Sequence, residues 1–479
     1  MRDVGLIDTT LRDGQQSLWA TRMTTDMMIP ILPVLDDIGY HSIEYMSTVQ
    51  MDACVRYLGE DPWDRMRVVR KHVRKTPLRL LGMSQFFSIS TVLPDDVVEL
   101  FTKTCARIGF DHQWITASMN DVRTCEVPIR ASQEAGSRTE GGVQYTISPV
   151  HTDDFFVSVT RRLRALGVDA IVLKDAGGLL TPERARTLLP AIVAAADGLP
   201  VYCHSHCVTG MGPASNLEAI EGGASAIWTS STPLANGSSL PADRSMTEHL
   251  RWMGYRVDVD TDGMAKVADH FREVARLHDK PLGLPAEYDP RYYAHQMPGG
   301  MISNFRAHLA ELDMGHRMDE VLEEMPRVRA ELGYPNVQTP YSQFIATQAL
   351  MNVLYGRYER VPDEIRRFVL GYWGKPPGPV DPDVLDKVGQ GREPITDRPG
   401  EVVPPLVEKV RREQGPFDSD EDLLLAIFFM PETLAQMRQM QGMQPTGGSL
   451  MGARSVVDLV REVARSPEVR SFSFQDRSG

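Results

Sequence analysis

AIVLKDAGGLLTPE, residues 170–183, is the stretch from which the fold is read. Ala170, Ile171, Val172 and Leu173 make an apolar, β-branched run of the kind that fills a buried strand. Lys174 and Asp175 end it. Gly177-Gly178 turn the chain or let backbone approach a ligand closely. Thr181-Pro182-Glu183 is a helix start, a capping hydroxyl followed by proline in the first turn. The unit is therefore strand, turn, helix. Outward from it the rhythm recurs, with strand-like runs at residues 4–10, 42–46, 78–86, 113–117, 142–148, 201–206 and 226–231. Helical patterns lie between them, one opened by Thr24, Thr25 and Asp26 and another over 95–108. Eight strands alternating with helices predict an α/β fold, a (β/α)8 TIM barrel, with a doubly wound open sheet as the alternative.

The rhythm stops near residue 280. Beyond it the patterns are helical, at 318–332, 342–355 and 363–372, with Pro-rich breaks at 375–379 and 404–405. The expected organisation is a barrel domain at 1–282, a C-terminal mainly α-helical domain at 283–465 capping the barrel mouth, and a flexible tail at 466–479.

Composition narrows the class. With 479 residues, 42% hydrophobic and 24% charged, the chain can bury full cores and is neither disordered nor collagen-like. A net charge of −13 argues against broad nucleic-acid binding, which needs a basic face. No apolar run approaches the length of a membrane span. The N-terminus turns polar too early for a secretory signal. Five cysteines (Cys54, Cys105, Cys125, Cys203, Cys207) are few and odd in number, so a disulfide framework is not expected and a reducing cytoplasm is the default compartment.

In such a barrel the chemistry sits on the loops that leave the strand tops. The seventh strand carries Cys203-His204-Ser205-His206-Cys207. Alternate residues of a strand face one side, so His204 and His206 can share an ion while the cysteines point away. The plain alternative is two histidines hydrogen-bonded in a loop. The first strand ends in Asp8-Thr9-Thr10-Leu11-Arg12-Asp13-Gly14-Gln15-Gln16. Asp13 and Asp8 are both available as a carboxylate ligand, with Arg12 and Gln16 beside them; alternatively Asp13-Gly14 only makes a turn that Asp8 caps. At the sixth strand top stands Lys174, whose ammonium has no lone pair for a metal. A carbamate formed from CO2 would present carboxylate-like oxygens, whereas the plain reading is a salt bridge to Asp175 or Asp13. After the eighth strand, residues 235–241 form a turn-rich loop with two hydroxyls, Ser238 and Ser239, suited to relaying a proton or to lying on the surface.

Asp8–Leu18 (DTTLRDGQQSL), residues 174–180 and His204–His206 together resemble the DRE-TIM metal-dependent superfamily. Within it the chain resembles the biotin-dependent carboxyltransferases: the carboxyltransferase domain of pyruvate carboxylase, the oxaloacetate decarboxylase α subunit and the transcarboxylase 5S subunit. Further matching segments follow in the same order, at residues 20–23, 59–63, 148–152, 298–301, 326–329 and 374–383, and coverage reaches about residue 430. The Leu173–Pro182 stretch is of the carboxyltransferase kind; Claisen-type members usually have Asp-Thr where Lys174-Asp175 stand.

The resemblance implies that Asp13, His204 and His206 are metal ligands and that Lys174 is a fourth, carbamylated one. Two histidines and two oxygens suit zinc, the first candidate, as well as manganese and cobalt. The metal would polarise a keto oxygen while a carboxyl group moves between the enolate carbon and biotin. Gln16 matches a substrate-side glutamine. Ser238 falls where a proton-shuttling threonine is expected. Arg12 joins Lys174, Ser238 and Gln16 as a catalytic candidate, and Gln15, Gln16, Met83, Gln85 and Ser238 are the substrate-binding candidates. The family also implies a homodimer. No biotinyl segment of the Ala-Met-Lys-Met kind occurs, so carboxybiotin would arrive on a separate carrier protein.

Departures gather where substrate should bind. Asp-Ala-His-Gln is here Asp13-Gly14-Gln15-Gln16. Trp-Gly-Gly-Ala-Thr is Met46-Ser47-Thr48-Val49-Gln50. Arg-Gly-Gln-Asn, whose arginine holds the substrate carboxylate, is Met83-Ser84-Gln85-Phe86. Phe-Asp-Ala is Thr116-Ala117-Ser118. The first expectation is a carboxyltransferase subunit exchanging CO2 between carboxybiotin and an enolisable, 2-oxo acid-like substrate. The second is a biotin-independent metal-dependent decarboxylase, lyase or condensing enzyme. The third is a non-catalytic assembly subunit.

Overall fold

Eight parallel strands close into a barrel in which each pairs with its neighbours in sequence: β1 (Gly5–Asp8), β2 (Ser42–Ser47), β3 (Leu78–Gly82), β4 (His112–Thr116), β5 (Arg138–Gln144), β6 (Ala170–Asp175), β7 (Val201–Ser205) and β8 (Ala226–Thr229), with β8 hydrogen-bonded back to β1. The computed structural model describes residues 1–82, 84–87, 91–117, 119–297, 309, 314–338 and 341–443. Helices separate the strands, including Asp95–Ile108 and Pro182–Ala196, the latter capped by the Thr181 hydroxyl. The open doubly wound sheet is thereby excluded. Among the described residues no helix is long and apolar enough to cross a membrane.

The local differences from expectation have physical causes. The helix after Thr24 is broken into Thr25–Met28, a 3-10 turn Ile29–Ile31 and Leu32–Asp37, because Pro30 and Pro33 each remove a backbone donor. The run expected at 78–86 ends as a barrel strand at Gly82, and Phe86–Phe87 pairs instead with Thr91–Val92 in a short antiparallel ribbon. The strand expected at 142–148 lies four residues earlier, as β5. Its inward positions are Glu140, Gly142 and Gln144, so apolar alternation does not mark it. A Cβ on Gly142 would stand 2.8 Å from Thr116 Cβ, and that close approach explains the glycine. The helix expected at 363–372 stops at Val369, ahead of Gly371 with φ +83°.

Strand alternation divides the barrel's apolar residues. Ile7, Trp114, Val172, Tyr202 and Trp228 form one cluster inside the barrel. Leu6, Ile43, Leu80, Ile115, Val143, Leu173, Cys203 and Ile227 join the surrounding helices in a second. Near the strand starts, buried Arg79 pairs with buried Glu140, with His112 Nδ1 3.1 Å from the same carboxylate.

The stretch assigned to one helical domain at 283–465 contributes to two cores. Met318–Glu331, Tyr341–Tyr355, Asp363–Val369 and Pro382–Gly389 share a core that includes Val321, Met325, Val328, Ile345, Phe368 and Trp373. This part docks on the loops after β4 and β5, where Arg329 donates to the Ile147 carbonyl at 2.8 Å and the backbone N–H of Lys375 to Asp121 at 2.9 Å. The later helices Asp420–Phe428 and Pro431–Met443 instead send Leu424, Leu425, Leu434 and Met437 into the barrel's outer core, and Phe428 stacks on Phe87 at 4.0 Å. Leu424 is fully buried there. Leu424→Ala should therefore cost about 2–5 kcal/mol, read by chemical denaturation, and should lower the stability of the barrel itself. The tail at 466–479 lies outside the described residues.

Candidate metal centre

β1 runs directly into a π-helical turn, Thr10–Gly14. Thr9 starts the turn, its hydroxyl accepting from the Asp13 N–H at 3.2 Å. A Cβ on Gly14 would lie 3.0 Å from the Leu234 carbonyl oxygen, so glycine lets the turn pack closely against the loop after β8. The turn carries Asp13 to the histidines of β7. Asp13 Oδ2 is 3.3 Å from His204 Nε2 and 3.2 Å from His206 Nε2, and the two Nε2 atoms are 3.0 Å apart. All three residues are buried.

That donor set fits a metal. Ligands about 2.0–2.1 Å from one ion stand roughly 3.0–3.4 Å from one another, whether the geometry is octahedral or tetrahedral. His206 Nδ1 is 2.7 Å from the Ser238 carbonyl, to which its N–H donates. That bond leaves the Nε2 lone pair facing Asp13. His204 Nδ1 has no partner among the described residues.

Arg12 is held on both sides, 2.9 Å from Asp13 and 3.0 Å from Glu44. Glu44 also accepts from Thr9 Oγ1 at 3.0 Å, Trp114 Nε1 at 2.8 Å and Trp228 Nε1 at 2.6 Å. Sequence reasoning missed Glu44. Its only mark is a lone carboxylate in a strand, Ser-Ile-Glu-Tyr-Met, that is otherwise free of charge.

The electrostatics follow from burial against partners. Burial works against the charged Asp13, but Arg12 and His206 outweigh it and hold the carboxyl well below its usual range. Burial pushes His204 down to about 3, so its imidazole is neutral, as a ligand must be. Burial also opposes charge on His206, yet Asp13 holds it above the ordinary value.

Lys174 lies on β6 in register with His204 on β7. Its Nζ sits 5.1 Å from the centre of the Trp114 ring. Among the described residues its side chain forms no hydrogen bond or ion pair, so the plain reading, a salt bridge to Asp175 or Asp13, is not what the structure shows. Asp175 accepts instead from the Leu179 and Leu180 N–H groups at 2.9 and 2.8 Å and from Ser205 Oγ at 2.7 Å. Burial, then Arg12, pulls the Lys174 amine down to about 8.

Other candidates fall elsewhere. Asp8 is not a ligand: it accepts the Thr10 hydroxyl at 2.5 Å, and burial with Asp243 nearby pushes it up to about 8. The Gln15 amide bonds to backbone, donating to the Leu11 carbonyl at 3.2 Å and accepting from Met23 N at 3.3 Å. Gln85 donates to the Leu93 carbonyl at 2.9 Å and to Asp95 at 3.1 Å. Gln16 Oε1 accepts from Gln50 Nε2 at 3.1 Å, and that group also donates to the Arg12 carbonyl. The Ser238 hydroxyl donates to the Ser17 carbonyl at 2.9 Å, so this residue touches the centre through its backbone oxygen. The loop after β8 is not a plain surface loop, since Leu234, Ala235, Ser239 and Leu240 are buried. Met83, Ser118 and residues 298–301 lie outside the described residues.

Comparison with known proteins gives the family. A family model described as HMGL-like matches residues 3–238, and one described as a conserved carboxylase domain matches residues 292–460. The chain is 40% identical to a pyruvate carboxylase subunit from Methanocaldococcus jannaschii over 428 residues, covering 88% of this chain and 75% of that protein. It is 35% identical to the methylmalonyl-CoA carboxyltransferase 5S subunit from Propionibacterium freudenreichii subsp. shermanii, covering 89% and 86%. The solved carboxyl transferase domain from Rhizobium etli pyruvate carboxylase superposes with a TM-score of 0.84 at 25% identity, covering 92% of this chain and 78% of that one.

Proposed function

Because this chain belongs to the biotin-dependent carboxyltransferase family, we propose that it moves CO2 between carboxybiotin on a separate carrier protein and an enolisable, 2-oxo acid-like small molecule. The observation that carries this reading is the convergence of Asp13, His204 and His206 within one ion's reach at the top of the barrel. A divalent ion held there by these three and by a Lys174 carbamate would serve as a Lewis acid on the substrate's keto oxygen, zinc being the first choice and manganese or cobalt the alternatives.

The chain's own residues do the rest. Arg12, fixed by Glu44, holds the Asp13 carboxylate ionised and in place. The Ser238 carbonyl sets the His206 tautomer, making Ser238 a positioning residue. Gln50 occupies the Gln16 carbonyl, which leaves the Gln16 N–H donors to face substrate. Trp114 and Trp228, both fully buried, close the barrel beneath the site and exclude water from below. The relatives' substrates point to an oxo acid, while the commitment of Gln15 and Gln85 to internal bonds and the thioether at Met83 point to a rebuilt acceptor pocket. The same commitments favour the biotin-independent lyase as the second reading. The proposed setting is the cytoplasm, consistent with five buried free thiols, with a homodimeric assembly as the resemblance implies.

The test is oxaloacetate decarboxylation by the metal-loaded protein with and without a biotinylated carrier. Pyruvate release that the carrier stimulates supports the reading; release indifferent to the carrier supports the lyase. Met83→Arg should lower KM for oxaloacetate about tenfold or more, a regained charge-assisted contact being worth about 1.5–3 kcal/mol. An unchanged KM would remove Met83 from the substrate pocket.

A further inference from the structure

Gln144 ends β5 and pairs in register with Lys174 on β6. Alternation places both inside the barrel, Gln144 on the face that carries Glu140 and Lys174 on the face that carries Val172. The Gln144 backbone is clamped by Asn120, which donates to its carbonyl at 2.9 Å and accepts from its N–H at 2.8 Å. Its side-chain Nε2 donates to the Thr116 hydroxyl, and Thr116 lies two residues beyond Trp114, the ring over which Lys174 Nζ sits. Thr116 Oγ1 in turn is directed to the Gly142 carbonyl at 3.5 Å, which fixes the end of the amide that Thr116 binds.

The other end is free. Gln144 is 1% exposed and its Oε1 has no partner among the described residues. An unmet buried acceptor of this kind is costly, so its retention asks for a physical reason. On the adjacent strand, at the paired position, Lys174 makes no hydrogen bond or ion pair among the described residues. One side chain has an acceptor without a donor and its neighbour has a nitrogen without an acceptor.

We propose that Gln144 is a positioning residue for Lys174, its Oε1 accepting the single N–H of the Lys174 carbamate and turning the carbamate oxygens toward Asp13, His204 and His206. The proposal rests on the carbamate reading given above. In the carbamylation the lone pair of the neutral Lys174 amine forms an N–C bond to CO2. One C–O π bond opens to a carboxylate, and the displaced amine proton leaves to solvent. The product is planar and keeps one N–H, matching the one acceptor that Gln144 offers; an ammonium would bring three donors.

The experiment compares wild-type, Gln144→Met and Gln144→Asn proteins equilibrated with 13C-bicarbonate and zinc. The carbamate carbon is read by 13C NMR and zinc content by atomic absorption, with near-ultraviolet circular dichroism to confirm folding. Wild type should show the carbamate signal. Gln144→Met keeps the length without the acceptor. It should need about tenfold more bicarbonate for the same occupancy and bind zinc about tenfold more weakly, the effect of losing an outer partner of a ligand. Gln144→Asn withdraws the acceptor by one methylene and should fall short in the same direction, which keeps the test usable if the methionine variant does not fold. Equal bicarbonate dependence in folded variants and wild type overturns the role of Gln144. No carbamate signal in zinc-loaded wild type overturns the carbamate reading itself, and this proposal with it.

Discussion

The Lys174→Ala protein is expected to fold, to lose most of its bound metal on dialysis, and to lose turnover by more than the roughly 10–100-fold that removing an outer partner of a ligand costs. The reason is geometric. Asp13, His204 and His206 supply three donors, and Lys174 stands beside His204 with its side chain free of any bond among the described residues. Alanine removes no ion pair and leaves Trp114 in contact with Glu44, so stability should change little while metal affinity falls. Metal stoichiometry after dialysis, with carboxyl transfer or oxaloacetate decarboxylation, checks both halves. Wild-type metal content and turnover in the alanine protein would end the assignment of Lys174 as a ligand.

Arg79→Met is expected to be the most destabilising single change in the barrel, by about 3–5 kcal/mol, because it leaves the Glu140 carboxylate buried without its cation. Burial alone would raise Glu140, but Arg79, aided by His112, brings it down to about 2 in the folded protein against 4.5 for a free side chain. A depressed carboxyl contributes stability that is fully present above the unfolded value and is lost as the pH falls through the folded one. The pair should therefore stabilise the wild type by an order of 3 kcal/mol above pH 4.5, and this should disappear between about pH 4.5 and 2. In Arg79→Met the depression is gone, so the acid limb of a denaturation series from pH 7 to pH 3 should flatten. A variant as stable as wild type at pH 7, with the same acid limb, would show that the pair contributes nothing.

Much of this molecule is legible in one dimension. The strand–turn–helix rhythm yields the barrel because each strand exposes an apolar face to the helices, and a period of two survives in the residue order. β6 and the helix Asp95–Ile108 fall at their expected bounds. His204 and His206 are legible as a pair for the same reason, being two apart on a strand, and Asp13 follows from the turn after β1. Where the interior is polar the rhythm fails: β5 carries Glu140, Gly142 and Gln144 inward, and its position shifts.

The tertiary structure alone decides the rest, because it depends on which distant side chains share a buried volume. Asp8 and Asp13 are equivalent in the sequence, yet strand alternation sends one toward Asp243 and the π-helical turn sends the other to the histidines. Gln15 and Gln85 are substrate-binding candidates in the sequence, and only the fold shows that each amide also bonds to a nearby backbone carbonyl. Glu44 and Gln144 look ordinary in a linear reading. One proves to gather Thr9, Arg12, Trp114 and Trp228 from distant strands or their ends, and the other stands beside Lys174 with an unpaired oxygen. A sequence records local periodicity, because that is set by backbone geometry. It does not record how a buried polar group is satisfied, because that partner is chosen across the barrel.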